Sequence, residues 1–443
     1  MVTEELWNSR VAAVSIEPRV VAASFADGKL TYWASSQGTH DFRDGTAKHL
    51  GMDPADVRVL VKDVGGGFGA KGMVSEEEVI VGQLARLIGR PVRWVESRTE
   101  NLSAYVHGRA QAQTVTIGGT RDGRVTHYRL DVVQDCGAYP KWGAFLPEFT
   151  RQLASGVYDI ANLEFSAVSV ATNTAPTCAY RGAGRPEATA AIERAMDLFA
   201  AEVGMDVADV RRVNLVASEA FPYTTPTGTS MDSGDYEGSL DRALAAVDYA
   251  GLRAEQKRRR EAGDPVQMGI GVATYVEITG FGGSEYGEVR LRSDGTVLAL
   301  TGATPIGTGH HTTWAMIVAD RLGVPLDSIE VFHGDTESIP SGSTTGGSRS
   351  VQIAGSAMAD ASEKLVDLAR DTAADLLEAA PGDVVLDRER GAFHVAGTPA
   401  VARSWAEIAT AADEDLAGLS DHSQNGATLD RKSTRLNSSH VKR

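Results

Sequence analysis

Apolar positions fall into short alternating or continuous runs bounded by glycine-marked turns, with amphipathic stretches between them. Residues 19–25 and 30–34 read as strands joined by Asp27-Gly28, a pair suited to a tight hairpin turn. A helix-like stretch runs to Leu50. Residues 56–64 (DVRVLVKDV) then form a buried-strand pattern that ends in Gly65-Gly66-Gly67-Phe68-Gly69. The spacing predicts a helix over 75–88, with Glu76, Glu77 and Glu78 in the first turn, where the helix dipole favours acids. A strand at 91–96 follows. Residues 114–117 and 125–133 flank Asp122-Gly123, a second hairpin signal, and 186–203 reads as a helix.

The same order then recurs. Strand-like 289–292 and 297–300 flank Asp294-Gly295; a glycine-rich loop, a helix at 312–322 and a strand at 329–332 follow. LGMDPADVRVLVKD (50–63) and LGVPLDSIEVFHGD (322–335) align without gaps, with four of fourteen positions identical. The order of elements is therefore stronger evidence than identity. The pattern predicts an α+β fold of two similar domains from an internal duplication, 1–252 and 265–420, the second truncated, with a site where the halves meet. The charged stretch 253–264 (RAEQKRRREAGD) reads as the connection between them, or equally as the polar end of a surface helix. Beyond it, 355–379 reads as a long helix, 384–395 as a hairpin and 405–412 as a short helix. After about Asp421 the pattern ends. The basic, acid-free final residues predict a disordered and foreign tail over 421–443.

Composition narrows the function. With 42% hydrophobic and 23% charged residues the chain is an ordinary globular one. A net charge of −16 repels nucleic acid and anionic membranes. Two cysteines, Cys136 and Cys178, are too few to ligate an iron–sulfur cluster and do not make a disulfide framework, so a reducing cytoplasm is expected. No apolar run reaches the roughly 20 residues of a membrane-spanning helix, and residues 1–10 lack a signal-peptide pattern.

Four motifs can carry chemistry. VKDVGGGFGAK (61–71) offers bare backbone N–H groups to an anion or oxo group. It is not a Walker A loop, but it matches a dinucleotide fingerprint, Gly65-x-Gly67-x-x-Ala70, which would make the protein an NAD-dependent dehydrogenase. A plain tight turn is the bland alternative. AYRGAGRPEA (179–188) sets an arginine among glycines, able to donate to an anion, or is a loop with solvated arginines. GTGHHTTWAMIVADRLG (307–323) feeds a glycine loop into a helix, an anion site by its free N–H groups. His310 and His311 are adjacent and make a poor chelating pair, so no metal ligation is expected from them or from His333. SGSTTGGSRS (341–350) is rich in donors and includes Arg349; the alternative is a flexible linker.

In this order the motifs resemble the large subunit of the molybdenum hydroxylases, the family of xanthine dehydrogenase, aldehyde oxidase and carbon monoxide dehydrogenase. The resemblance extends to about Ala412. It implies two molybdopterin-binding domains and a molybdopterin cytosine dinucleotide, with molybdenum held through the pterin and not by a side chain. Gly66, Gly67, Phe68 and Gly69 would lie close to the molybdenum and Gln37 near an oxo ligand; Arg181, with Gly182, corresponds to the family's AYR loop. Gly307, Thr308, Gly309 and His310 match the dinucleotide-binding GQGH loop, with Thr308 in place of its Gln. Gly347, Ser348, Arg349 and Ser350 match the loop that wraps the nucleotide end.

The resemblance also implies partners: an FAD-binding medium subunit and a [2Fe–2S] small subunit, in a dimer of heterotrimers. Copper-containing carbon monoxide dehydrogenases carry AYRCSFR, where the Cys binds copper; here that position is Gly182 in AYRGAGR. Purine oxidisers carry a Glu after the glycine-loop lysine; here it is Gly72. Hydroxylation of an aldehyde or N-heterocycle is the remaining expectation. The family's catalytic base is a Glu in a Gly-x-Gly-Glu segment beyond the equivalent of Ala412. The chain is therefore expected to be a fragment that lacks the base and is inactive alone; a catalytically dead cofactor-binding fragment is the last alternative.

Overall fold

The computed structural model describes residues 1–412, 414–424 and 428–429. The described residues form two compact units, one made of Met1–Ala13, Ser103–Thr279 and Thr428–Leu429, the other of Val14–Leu102 and the described residues from Gly280 to Gln424.

The first unit is built on a four-stranded sheet in the order Val2–Asn8, Gln111–Gly119, Val125–Gly137, Asn162–Ala171. The first two pairings are antiparallel and the last is parallel. Strand Gln111–Gly119 alternates in burial, so Gln111, Gln113, Val115 and Ile117 share its inner face. Helix Arg185–Val203 covers that face with Ala188, Ala191, Ile192, Ala195, Met196 and Phe199, all fully buried against Val115, Ile117, Tyr128 and Leu130. Small residues at a helical spacing bring the helix close, and each large apolar side chain buried there contributes about 1.5–3 kcal/mol. The inner face is apolar at one end and polar at the other, where Gln111 and Gln113 lie.

The second unit contains both copies of the repeated motif. One sheet runs Val57–Leu60, Lys29–Ala34, Val20–Ala26, Val92–Val95. The other runs Ile329–His333, Val297–Thr301, Gly283–Leu291, Leu416–Gln424. In each, a hairpin supplies the central antiparallel pair, its second strand pairs in parallel with the strand beyond the next helix, and its first strand pairs antiparallel with a later one. The gapless alignment holds element by element. Gly51 and Gly323 end the helices Thr39–Leu50 and His310–Leu322 in left-handed backbone, and the 3-10 turns Pro54–Asp56 and Leu326–Ser328 lead into strands at Val57 and Ile329. Positive φ without a Cβ penalty is what glycine supplies at both helix ends.

The two sheets join through these equivalent strands. Val61 N donates to Gly334 O at 2.7 Å and Arg58 forms a bidentate pair with Asp335 (3.1 and 2.7 Å). Each sheet keeps its own core: Val21, Leu30, Tyr32, Phe42 and Val59 in one, Val289, Trp314, Met358 and Leu365 in the other.

Two boundaries differ from expectation. Residues 253–261 continue helix Tyr249–Glu261, whose Asp248 cap accepts from Gly251 N, inside the first unit; of the two readings the surface helix is the one observed. The compact units do not divide at that stretch, because the duplicated motifs pair with each other through their edge strands. The expected disordered tail from Asp421 is corrected at its start: strand Leu416–Gln424 carries residues 421–424, paired with Gly283–Leu291. Most of the remaining tail lies outside the described residues.

Candidate functional site

In the second unit, every loop that sequence marked for chemistry leaves the C-terminal end of one of the two parallel strand pairs. Residues 35–38 follow Lys29–Ala34, and 61–72 follow Val57–Leu60. Residues 302–309 follow Val297–Thr301, and 334–350 follow Ile329–His333. Loops at strand carboxyl ends are where open α/β sheets bind ligands, because neighbouring turns diverge there and helix N-termini face the gap.

Gln37 ties these loops together. It is buried (2% exposed), and its Oε1 accepts from Gly69 N at 2.8 Å while its Nε2 donates to Thr345 O at 2.7 Å. Its backbone N donates to Lys71 O and its backbone O accepts from Thr345 N. Thr345 Oγ1 in turn donates to Thr304 O at 2.7 Å, and Thr304 Oγ1 meets Thr39 Oγ1 at 2.9 Å. A carboxamide has two N–H donors, so one Nε2 hydrogen remains uncommitted.

Gly67 admits no side chain: a Cβ there would stand 2.6 Å from Gln37 Cγ and 2.7 Å from Cδ, and would run into Oε1. Gly66, Phe68 and Gly69 all have positive φ (97°, 56° and 102°). For Phe68 this is a costly conformation, about 1–2 kcal/mol, that only a tightly specified loop retains. Its ring is 40% exposed.

Lys71 closes this loop from below. Its Nζ donates to Glu17 O, Glu17 Oε2 and Ser35 Oγ at 2.8, 2.9 and 2.6 Å, and burial pulls the ammonium below its usual range against the pull of Glu17. Lys71 is thus a structural tie between loops and not a phosphate-facing lysine. The loop also departs from a dinucleotide fingerprint. Ala70–Gly72 is a 3-10 turn and the next helix, Glu76–Ile88, starts only afterwards, capped by Ser75. The glycine N–H groups therefore do not form the helix N-terminus that a pyrophosphate needs, and the sheet is mixed rather than parallel. The NAD-dependent reading fails on this geometry.

Gly307, Thr308 and Gly309 are exposed and lead into helix His310–Leu322. Nothing lies within 4 Å of a Cβ at Gly307 or Gly309, and no side chain caps the helix. The N-terminus therefore presents its dipole to open space, a cradle of suitable charge for phosphate. Behind it His310 is buried against Trp314 (ring centroids 4.8 Å apart), and burial, with His311 second, holds its imidazole down at about 4. His310 is therefore neutral at physiological pH. Among the described residues no His, Cys, Asp and Glu cluster suits a metal ion.

In the fourth loop Gly347 and Ser348 have positive φ (59° and 53°), and a Cβ on Gly347 would strike the Phe281 ring. Arg349 is turned inward: its Nη1 meets Glu285 Oε1 at 2.6 Å in a pair that is almost wholly buried. In this position Arg349 fixes the loop through Glu285 and Ser284 O. Ser350 begins a π-helical turn, Ser350–Ala354, that runs into helix Gly355–Leu376.

Arg181 and Gly182 lie in the first unit. The Arg181 side chain is exposed. Gly182 has φ 100°, and a Cβ would stand 2.5 Å from Pro186 Cδ. Sequence reasoning missed Arg109, whose Nη1 and Nη2 donate to Tyr180 O and Arg181 O at 2.9 and 2.7 Å while its guanidinium stacks 4.9 Å from the Tyr180 ring centre. It also missed Glu187, fully buried with burial pushing its carboxyl up. A lone Arg and a helix-facing Glu carry no local signal for a contact this far along the chain. Both cysteines are buried, and no disulfide joins them.

These features fit a large, anionic, backbone-bound group: glycines where side chains would collide, and an uncapped helix N-terminus. Comparison with known proteins agrees. The description "Molybdopterin cofactor-binding domain" matches residues 1–215 and again 242–439. The chain belongs to the molybdenum hydroxylase large-subunit family. It is 37% identical to the carbon monoxide dehydrogenase large chain of Hydrogenophaga pseudoflava over 92% of this chain and 53% of that protein. It is 33% identical to the nicotine 6-hydroxylase large subunit of Paenarthrobacter nicotinovorans over 91% and 51%. Among solved structures, quinoline 2-oxidoreductase from Pseudomonas putida 86 superposes with a TM-score of 0.90 at 30% identity, covering 97% of this chain and 57% of that one. The chain spans about half the length of the curated relatives it matches. The second match reaches residue 439, well into the stretch expected to be foreign. No helix among the described residues is long and apolar enough to cross a membrane.

Proposed function

We propose that this chain forms the cradle for molybdopterin cytosine dinucleotide in an oxidoreductase that hydroxylates an N-heterocycle or aldehyde with oxygen from water. The same proposal includes an FAD-binding medium subunit and a [2Fe–2S] small subunit, in a dimer of heterotrimers. The cofactor, when bound, supplies the two-electron redox chemistry that side chains cannot, and the partner groups carry the electrons away.

The observation that carries the reading is the convergence of two further loops, 61–72 and 334–350, on Gln37, with Gly67 kept bare against its carboxamide. Gln37 offers its free Nε2 hydrogen, and Gly66, Gly67, Phe68 and Gly69 offer backbone. Gly307, Thr308, Gly309 and His310 supply the helix N-terminus for phosphate, with the Thr308 hydroxyl as a further donor. Gly347, Ser348 and Ser350 wrap the far end, and Arg349 holds that loop through Glu285. Arg181 is an exposed cation able to pair with an anionic oxygen. No protein side chain is proposed as a metal ligand.

The substrate class rests on Gly182. It stands where copper-containing carbon monoxide dehydrogenases are expected to carry their Cys, and its backbone has no room for a side chain. Relatives whose names specify nicotine and quinoline support an N-heterocycle. The test is to produce the protein with its partner subunits in a host that makes the cofactor. Molybdenum and released cytidine monophosphate are then measured per chain, and dye reduction is followed with N-heterocycles, aldehydes and carbon monoxide. One molybdenum and one nucleotide per chain, with turnover of a heterocycle or aldehyde, is expected. Nicotinamide dinucleotide bound without molybdenum, or carbon monoxide as the best substrate, overturns it.

A further inference from the structure

The loop 180–184 is held by its carbonyls. Tyr180 O and Arg181 O accept from Arg109, Gly182 O accepts from Arg185 Nε at 2.6 Å, and Gly184 O accepts from Thr150 Oγ1 at 2.9 Å. Arg109 is itself unusually constrained. It and Ala110 have φ of 62° and 67°, consecutive left-handed residues without glycine, a conformation that persists only where surroundings dictate it.

Those surroundings are a buried chain of amides. Gln134 Nε2 donates to Arg109 O at 2.9 Å, Gln111 Nε2 to Gln134 Oε1 at 3.0 Å, Gln113 Nε2 to Gln111 Oε1 at 2.8 Å, and Asn8 Nδ2 to Gln113 Oε1 at 2.8 Å. Glu187 supplies the charge. Its carboxyl is completely buried, its oxygens make no side-chain hydrogen bond among the described residues, and Oε2 lies 3.6 Å from Arg109 Nη1. It attracts the guanidinium without taking up the N–H groups that grip the carbonyls, and the planar fork can span two adjacent acceptors where an ammonium cannot.

We propose that Arg109, drawn in by Glu187, is a positioning residue for Arg181: by fixing the Tyr180 and Arg181 carbonyls it sets the direction in which the Arg181 side chain leaves the loop. This rests on the reading of Arg181 as a donor to the cofactor's anionic groups. It explains why this cation is built into a strained backbone with a buried counter-charge 3.6 Å away, an arrangement that packing alone does not require.

The experiment uses the holoenzyme with its partner subunits and the variants Arg109→Lys, Arg181→Ala, the two combined, and Glu187→Gln. Molybdenum and cytidine nucleotide retained per chain after exhaustive gel filtration are measured beside the melting temperature. Arg109→Lys is expected to lower retention several-fold, by about as much as Arg181→Ala, and the double variant to lose no more than about twofold beyond Arg181→Ala, the non-additivity of residues that act through one another. Glu187→Gln gives a smaller loss in the same direction and replaces Arg109→Lys in the comparison should that variant not fold. Wild-type retention in Arg109→Lys and Glu187→Gln, or losses that multiply in the double variant, overturns the positioning role alone. Wild-type retention in Arg181→Ala overturns the reading of Arg181, and the positioning role falls with it.

Discussion

Gly67→Ala tests the core of the candidate site. The added methyl would occupy the place of the Gln37 carboxamide, 2.6 Å from Cγ and 2.7 Å from Cδ, so that side chain must leave. Leaving breaks its bonds to Gly69 N and Thr345 O, 2.8 and 2.7 Å long. Each buried partner left unsatisfied costs about 1–3 kcal/mol, so the substitution should destabilise by about 2–6 kcal/mol, a large part of the roughly 5–15 kcal/mol that holds a domain folded. With Gln37→Ala in place the carboxamide is already gone, and Gly67→Ala should then cost under about 1 kcal/mol. The coupling between the two, measured by urea unfolding of the four proteins through tryptophan fluorescence, should be about 2–4 kcal/mol. Trp33 and Trp94 lie in the sheet that carries the loop and report on it. Equal costs in both backgrounds would refute the argument.

Other outcomes follow from the same geometry. Gly182→Cys forces a side chain onto left-handed backbone against Pro186; the variant should lose at least about 1–2 kcal/mol in thermal unfolding and take up no stoichiometric copper in metal analysis. Arg349→Met leaves the buried Glu285 carboxyl without its ion-pair partner, with Ser343 N still donating to it, and should cost about 3–5 kcal/mol in chemical unfolding. His310 is held at about 4 when folded against an ordinary value of 6.5, so the unfolded chain binds the proton first. Its contribution, up to about 3 kcal/mol, is present above pH 6.5 and is lost as pH falls towards 4; His310→Gln should flatten that part of the stability profile measured by calorimetry.

The repeated motif was legible because its signals are local. Asp27-Gly28 and Asp294-Gly295 mark the hairpins, and Leu50 and Leu322 start stretches in which Met52 and Val324, Val57 and Ile329, Val59 and Val331, and Leu60 and Phe332 are apolar at matching positions. The Asp235 and Asp248 caps that begin helices Tyr236–Ala246 and Tyr249–Glu261 were equally local signals and went unused. What sequence could not supply was partnership. Nothing in VHGRAQ says that Arg109 grips carbonyls 71 and 72 residues away, and nothing in GSRS says that Arg349 turns in to Glu285 and not out to a ligand. Both copies of the motif share one compact unit through the Arg58–Asp335 pair, a contact periodicity does not encode. Gly67, Gly182 and Gly347 are places of close approach while Gly307 and Gly309 stand open, and whether the crowding is by Gln37, Pro186 or Phe281 is a property of the folded chain.

The bond from Gln37 to Thr345 spans 308 residues, and Arg58 reaches Asp335 across 277. At the usual pace of about 5–20 residues per second, roughly 15–60 s pass between the synthesis of the Gln37 carboxamide and that of its acceptor. Throughout that time the glycine loop has one of its two braces, and the second pair of loops does not yet exist. A nascent chain therefore carries half a cradle, in which Gln37 holds Gly69 N and Lys71 O but still lacks Thr345. The binding surface closes late, as a long-range event.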